Sequence, residues 1–216
     1  MLKKSKTNKI IFLNAKKGSG KTILATALAY AQNKRVIWIT PLKSGYYPHR
    51  VDLQGVEVLK HPKQYNYFIV SSDDFEKKIN DILDFCKEHK EPIFLVVDEL
   101  DNYVGSRLTN ANPLFELVNQ GRHYQIDMLF IARRNQDVPK SILTNVDFFI
   151  CGANNLIEND IKYLRDFLRR EEMELLATFG NGDFLEINCN TRHTRKIRLT
   201  QLCVNKILSF EKNLIE

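Results

Sequence analysis

Hydrophobic residues along this chain fall into short continuous runs, separated by longer stretches in which apolar and polar positions mix. A continuous apolar run of about four to eight residues is typical of a strand that is buried on both faces, as in a parallel sheet. Strands of this kind are predicted over residues 10–13, 35–40, 67–70, 92–99, 127–132 and 147–152. Two more runs, 184–187 and 196–199, flank a turn around Asn190 and predict a terminal β-hairpin.

The stretches between these runs carry helical spacing. One apolar stripe predicts a helix packed on the sheet, and it consists of Phe75, Ile79, Ile82, Leu83 and Cys86. Other helices are predicted after Thr22, over 112–121, after 138–139, over 157–170 and over 171–178. Because strands and helices alternate, the pattern predicts an α/β fold with a central, mostly parallel sheet flanked by helices and closed by the hairpin.

The composition of the chain limits the kinds of partner and metal site that we expect. The 216 residues include 32 Lys and Arg against 26 Asp and Glu, a net charge of +6, which fits either a polyanionic partner or an ordinary solvated surface. The four cysteines at 86, 151, 189 and 203 form no C-x-x-C pair, so neither a zinc site nor a disulfide framework is predicted. Since no run approaches the roughly 18 apolar residues of a membrane span, we expect a soluble intracellular protein.

The most specific motif joins the first predicted strand to the first predicted helix. It reads Ala15-Lys16-Lys17-Gly18-Ser19-Gly20-Lys21-Thr22. In such a loop, successive backbone N–H groups surround phosphate oxygens at a helix N-terminus. Lys21 can then reach the β- and γ-phosphates, and the Thr22 hydroxyl can bind Mg²⁺. The predicted ligand is a nucleoside triphosphate with Mg²⁺. Ala15 replaces the usual first glycine, a small change if φ is negative there.

Two acids end the apolar run at 92–99. Asp98 and Glu99 should leave a buried strand at the carboxyl edge of the sheet, on the side where the phosphate loop opens. We predict that Asp98 holds Mg²⁺ and its water shell together with Thr22. Glu99 is the predicted general base, or the group that orients water for attack on the γ-phosphate.

Hydrolysis of ATP also needs positive charge near the transferred phosphoryl group. Arg122 lies in Gly121-Arg122-His123, between a predicted helix and the next strand, and it is the candidate for an arginine supplied to a neighbouring subunit. Its alternative role is that of a solvated arginine at a helix C-terminus. Arg133 and Arg134 end that next strand and compete for a role at the γ-phosphate.

Four segments together resemble the FtsK/HerA superfamily of DNA-pumping ATPases, over about residues 9–199. They are Gly18-Ser19-Gly20-Lys21-Thr22, Val96-Val97-Asp98-Glu99, Gly121-Arg122-His123 before a strand, and the string from Phe130 to Pro139. Within that superfamily, the small size is similar to the genome-packaging ATPases of tailless, membrane-containing icosahedral viruses. The superfamily commonly places a sensor glutamine after the strand that follows the acid pair. Here Arg133 or Gln136 would take that role, while Arg122 matches the arginine that acts in trans.

The resemblance implies a RecA-like P-loop NTPase fold and a single ATPase domain over 1–216, with a basic N-terminal segment (1–8) and a tail (201–216). It also implies a homo-oligomeric ring of five or six subunits that hydrolyses ATP and moves double-stranded DNA into a capsid. Capsid or portal vertex proteins would be its partners, in the host cytoplasm or on the virion. Two alternatives stay open: an assembly ATPase of filamentous phages similar to zonula occludens toxin, which usually carries a membrane span, and a nucleotide-gated regulatory module without translocation.

Overall fold

In the computed structural model of the chain, residues 8–32, 34–41, 66–105, 109, 111–152 and 162–200 are described. These parts of the chain form one sheet of eight strands in the order β3-β2-β4-β5-β1-β6-β7-β8. The strands are β1 Ile10–Asn14, β2 Arg35–Thr40, β3 Asn66–Ile69, β4 Ile93–Val97, β5 Ile126–Ala132, β6 Phe148–Gly152, β7 Asp183–Asn188 and β8 Thr194–Arg198. The pairs among β1 to β6 are parallel, and the pairs β6–β7 and β7–β8 are antiparallel.

Helices cover both faces of this sheet, which explains why the central strands are apolar throughout. The helices are α1 Lys21–Tyr30, α2 Phe75–His89, α3 Pro113–Tyr124, α4 Lys140–Leu143 and α5 Arg170–Ala177, with 3₁₀ turns at Leu100–Asn102 and Asn135–Asp137. Side chains from α1 pack with Leu13 and Ile131 on one face, whereas those from α2 to α5 pack with Phe12 and Phe130 on the other. The predicted α/β architecture with its terminal hairpin is confirmed.

The predicted helix over 157–170 is too long at its C-terminal end. Residues 162–164 are helical and 165–167 form turns, so the helix ends before Leu168. The break has a packing reason, because Phe167 stacks on Phe149 with ring centroids 4.6 Å apart and Leu168 is buried. Arg169 is extended, and its N–H donates to the Glu172 carboxylate at 2.6 Å, which starts α5.

Some sequence predictions fall outside the described residues, namely those on 1–7, on 157–161 and on the tail after 200. In the described parts, no helix has the length and apolar character needed to cross a membrane. Cys86, Cys151 and Cys189 are free thiols, and burial raises the pKa of Cys86 to about 12.

Close packing beside the phosphate loop predicts a cost for one small substitution. A Cβ added at Gly152 would lie 2.8 Å from the Ala15 Cβ and 2.8 Å from the Phe184 ring. Because both neighbours are fully buried, Gly152→Ala should lower the free energy of unfolding by about 1–3 kcal/mol. Urea denaturation of the variant and the parent measures this change in the free energy of unfolding. Gly105→Ala is the control, since a Cβ there meets nothing within 4 Å. Equal effects of the two substitutions would contradict the packing argument.

Candidate active site at the carboxyl edge of the sheet

The phosphate loop connects the end of β1 to the start of α1. Gly18 and Gly20 have φ angles of +76° and +94°, a conformation that glycine adopts without strain. Gly20 is the residue that precedes the helix, so the N-terminal N–H groups of α1 open directly onto the loop. Ala15 is fully buried and has a negative φ, so its methyl group is compatible with the loop, as the sequence analysis required.

Lys21 holds the two ends of the loop together. Its Nζ donates hydrogen bonds to the carbonyl oxygens of Ala15, at 2.5 Å, and Lys16, at 2.8 Å. Burial lowers the pKa of Lys21, while the nearby carboxylates of Asp98 and Glu99 act in the opposite direction. The ammonium group is therefore placed over the loop, beside the acid pair.

The acid pair follows β4 at the same edge. The Asp98 N–H donates to the Ile39 carbonyl on β2 at 2.8 Å, which continues the strand pairing by one residue and leaves Asp98 only 4% exposed. The Asp98 Oδ1 accepts the Glu99 N–H at 2.9 Å. Glu99 itself has left-handed φ and ψ angles of 51° and 49°, which turn the chain abruptly into the 3₁₀ segment after β4.

Both carboxylate oxygens of Glu99 already have partners. Arg133, directly after β5, donates from Nη2 to Glu99 Oε1 and forms an ion pair with it. Asn102 donates from Nδ2 to Glu99 Oε2 at 2.8 Å. The hydrogen bond from Arg133 to Glu99 is the main reason why the pKa of Arg133 is raised. In this arrangement Arg133 contacts the predicted base.

The structure adds residues that the sequence analysis missed. Asp101 is half-buried near Lys21, Glu99 and Arg133, and burial raises its pKa even though backbone N–H groups of Asp101 and Arg133 act to lower it. Its Oδ1 is buried and has no hydrogen-bond partner among the described residues. Asn102, which donates to Glu99, is the second residue of the site that the sequence analysis missed. The polar run Asp98-Glu99-Leu100-Asp101-Asn102 was the available signal for both residues.

Three polar side chains follow β5 near the predicted sensor position. Asn135 is 2% exposed and begins the 3₁₀ turn after β5, and its Oδ1 has no partner in the described part of the chain. Gln136 follows it and is half-buried at the same edge, while Arg134 is exposed. Gln136 and Arg133 are therefore both near the carboxyl edge, and Asn135 is a third polar side chain there.

Arg122 lies at the opposite, amino edge of the sheet. It is exposed in the last turn of α3, beside Gly121, whose added Cβ would lie 3.4 Å from the Ile126 carbonyl at the start of β5. Since β5 has seven residues, its length of about 3.3 Å per residue places Arg122 on the order of 20 Å from the phosphate loop of its own chain. An arginine side chain does not span that distance.

The family model of the poxvirus A32 protein matches residues 2–179. The chain belongs to the poxvirus A32 protein family. No curated protein sequence matches it significantly. The predicted resemblance to the FtsK/HerA superfamily, and within it to viral genome-packaging ATPases, is confirmed.

Solved structures share the fold at low sequence identity. The genome packaging NTPase B204 from Sulfolobus turreted icosahedral virus 2 has a TM-score of 0.76 at 17% identity, over 89% of this chain and 97% of that chain. VirB4 of Thermoanaerobacter pseudethanolicus has a TM-score of 0.62 at 14% identity, over 91% of each chain. The N-terminal domain of zonular occludens toxin from Neisseria meningitidis has a TM-score of 0.53 at 14% identity, over 92% and 97%.

The raised pKa of Asp101 gives a pH-dependent prediction. Burial raises this pKa above its ordinary value of 3.8, so the folded protein loses stability as the pH rises through the folded pKa and the carboxyl ionises. Asp101→Asn removes that ionisation. The difference in Tm, variant minus parent, should therefore be larger at pH 7 than at pH 4, as measured by circular dichroism. Asp84→Asn, at an exposed carboxylate on α2, is the control. A difference for Asp101→Asn that does not change with pH would contradict the assignment.

Proposed function

We propose that this protein is an ATP-hydrolysing motor. The observation that carries the proposal is the convergence of the glycine loop, Lys21, Asp98 and Glu99 at one sheet edge, where α1 begins. A ligand with phosphate oxygens suits this site because backbone N–H groups and an ammonium are its donors. The buried Ser19 Oγ, which has no partner among the described residues, is a further donor in the loop. The B204 protein has been solved with AMPPCP in one structure and ATP-γS in another, which supports the choice of ATP.

Mg²⁺ fits the residues present. Thr22 would supply a hydroxyl and Asp98 a buried carboxylate, the hard oxygen ligands that this ion prefers. When bound, the ion would neutralise charge on the β- and γ-phosphates. The residues of the chain do the rest: the loop binds the phosphates, Lys21 exchanges its two carbonyl partners for phosphate oxygens, and Glu99 orients the attacking water.

Glu99 must first leave Arg133. With both oxygens bonded, the carboxylate of Glu99 has reduced capacity to accept a proton from water. The γ-phosphate brings negative charge to the same edge and competes for the guanidinium of Arg133. Transfer of Arg133 from Glu99 to the γ-phosphate would release the base and add positive charge to the transition state. Arg133 thereby takes the sensor role, with Gln136 as the alternative.

The work that hydrolysis drives is proposed to be movement of double-stranded DNA into a capsid. The poxvirus A32 family and the B204 packaging NTPase support this choice, as does the net charge of +6, since DNA contacts are mainly to phosphates and depend on salt. The chain would act as a single domain in a ring of five or six copies, docked on capsid or portal vertex proteins during assembly. The similarity to zonular occludens toxin has the lower TM-score and favours phage assembly less.

The test is ATPase activity with and without double-stranded DNA, measured together with particle size in the presence of ATP. The parent should hydrolyse ATP faster with DNA. Lys21→Ala should abolish ATP binding, and Glu99→Gln should keep binding but lower turnover by about 10²- to 10⁴-fold. Lys140→Ala, at the exposed first residue of α4, is the control for loss of a lysine. Parental turnover by Glu99→Gln would overturn the catalytic assignment. Turnover that DNA does not change would favour a regulatory module.

A mixing experiment tests Arg122. Because Arg122 is too far from its own loop, any catalytic role must be exercised at the site of an adjacent subunit. Arg122→Ala should keep nucleotide binding and lower turnover by about 10³- to 10⁵-fold, the range of arginine fingers. Mixing Arg122→Ala with Glu99→Gln should restore part of the activity, since some interfaces then combine an intact Arg122 with an intact Glu99. Mixed rings without restored activity would transfer the role to Arg133 or Arg134.

A further inference from the structure

The terminal hairpin of β7 and β8 packs against the phosphate loop. In β7, Phe184 pairs in register with Gly152 at the carboxyl end of β6. The Phe184 side chain is fully buried in the cluster that contains Ala15 and Leu24, and Leu199 packs against the same cluster. The hairpin lies beyond residues 2–179, the part that the family model matches. The contact between the hairpin and the phosphate loop is therefore seen in the structure and is not implied by the family match.

One hydrogen bond and one close apolar contact connect the hairpin to the loop, and a second hydrogen bond lies within the hairpin. The Gly182 N–H donates to the Ser19 carbonyl at 2.9 Å, and the Leu199 N–H donates to the Gly182 carbonyl at 2.8 Å. The Leu199 Cδ1 lies 3.0 Å from the position that a Cβ at Gly20 would occupy. Ser19 is only 1% exposed. The hairpin thus contacts the two residues that lead into α1.

The contacts that the hairpin makes with the loop can persist when a phosphate ligand binds, whereas the hydrogen bonds made by Lys21 cannot. The Nζ of Lys21 bonds to the Ala15 and Lys16 carbonyls, and it must leave them to reach a phosphate. The hairpin bonds to the Ser19 carbonyl and covers Gly20, so it uses none of the N–H groups that would bind phosphate. It can hold the loop both before and after the lysine moves.

We propose that Leu199 is a positioning residue for nucleotide binding, which acts by holding Ser19 and Gly20 in the phosphate-binding conformation. The proposal rests on the proposed function of the site. A loop that is held in advance loses less conformational freedom on binding, so its ligand binds more tightly. Asp98 and Glu99 follow β4, which is separated from β1 by β5, and so Leu199 should affect binding more than the chemical step.

The experiment compares Leu199→Ala with Ile197→Ala in the full chain. Ile197 is a matched control because it lies on β8 two residues before Leu199, pairs with Phe184 and packs against the same cluster. Hydrogen exchange of the amides of 18–22 is measured first without nucleotide. Kd for ATP, KM and kcat follow. Leu199→Met, which restores an apolar side chain of similar size, is the rescue variant, and Leu199→Val is used if the alanine variant does not fold.

Leu199→Ala should speed exchange in the loop and raise both Kd and KM about 5- to 10-fold, with kcat within about twofold of the parent. Ile197→Ala should lower Tm comparably yet leave Kd and loop exchange unchanged, and Leu199→Met should return Kd to the parental value. Equal effects of the two alanine variants, or a fall in kcat without a change in Kd, would overturn the proposal. If the parent binds no ATP, the proposed function fails, whereas faster loop exchange confined to Leu199→Ala still supports the positioning role.

Discussion

The parallel pairing of β4, β5 and β1 is the constraint on which the site depends. Val97 pairs with Phe130, and Asn14 pairs with Ala132, so the three strands end at one edge. The phosphate loop, the acid pair and Arg133 each follow one of these strands directly. A shift of one residue in any pair would exchange the two faces of that strand, and helices on both faces make that shift costly. The same packing that stabilises the sheet therefore fixes the distances within the site.

Charge within the site is unevenly balanced. Three carboxylates, those of Asp98, Glu99 and Asp101, lie near two cations, Lys21 and Arg133. Burial penalises each unpaired ion, which explains why the pKa of Asp101 is raised and why Glu99 bonds so closely to Arg133. An excess of carboxylate suits the proposed binding of a divalent cation. The left-handed backbone of Glu99 is a local strain that these pairings help to maintain.

The amino and carboxyl edges of the sheet carry different kinds of polar residues. At the amino edge, Asp127 and Asp147 accept the N–H groups of Lys9 and Ile10, at 2.8 Å and 2.9 Å, and fix the start of β1. Arg122 is exposed at that same edge, away from the loop of its own chain. The carboxyl edge collects the groups that suit nucleotide chemistry. Of the proposed catalytic residues, Glu99 and Arg133 lie at the carboxyl edge, and Arg122 alone lies at the amino edge, out of reach of the loop of its own chain.

The sequence by itself determined the parts that local patterns encode. Continuous apolar runs located the strands, the glycine loop located the proposed phosphate site, and the acids at the end of the β4 run identified Asp98 and Glu99 as candidates beside it. It did not locate the break before Leu168, because the stacking of Phe167 on Phe149 is a contact between distant segments. The pairing of Arg133 with Glu99, the inclusion of Asp101 and the contact of Leu199 with Gly20 were likewise decided by tertiary structure. Each joins residues from different elements, and only the order and register of the strands bring those elements together.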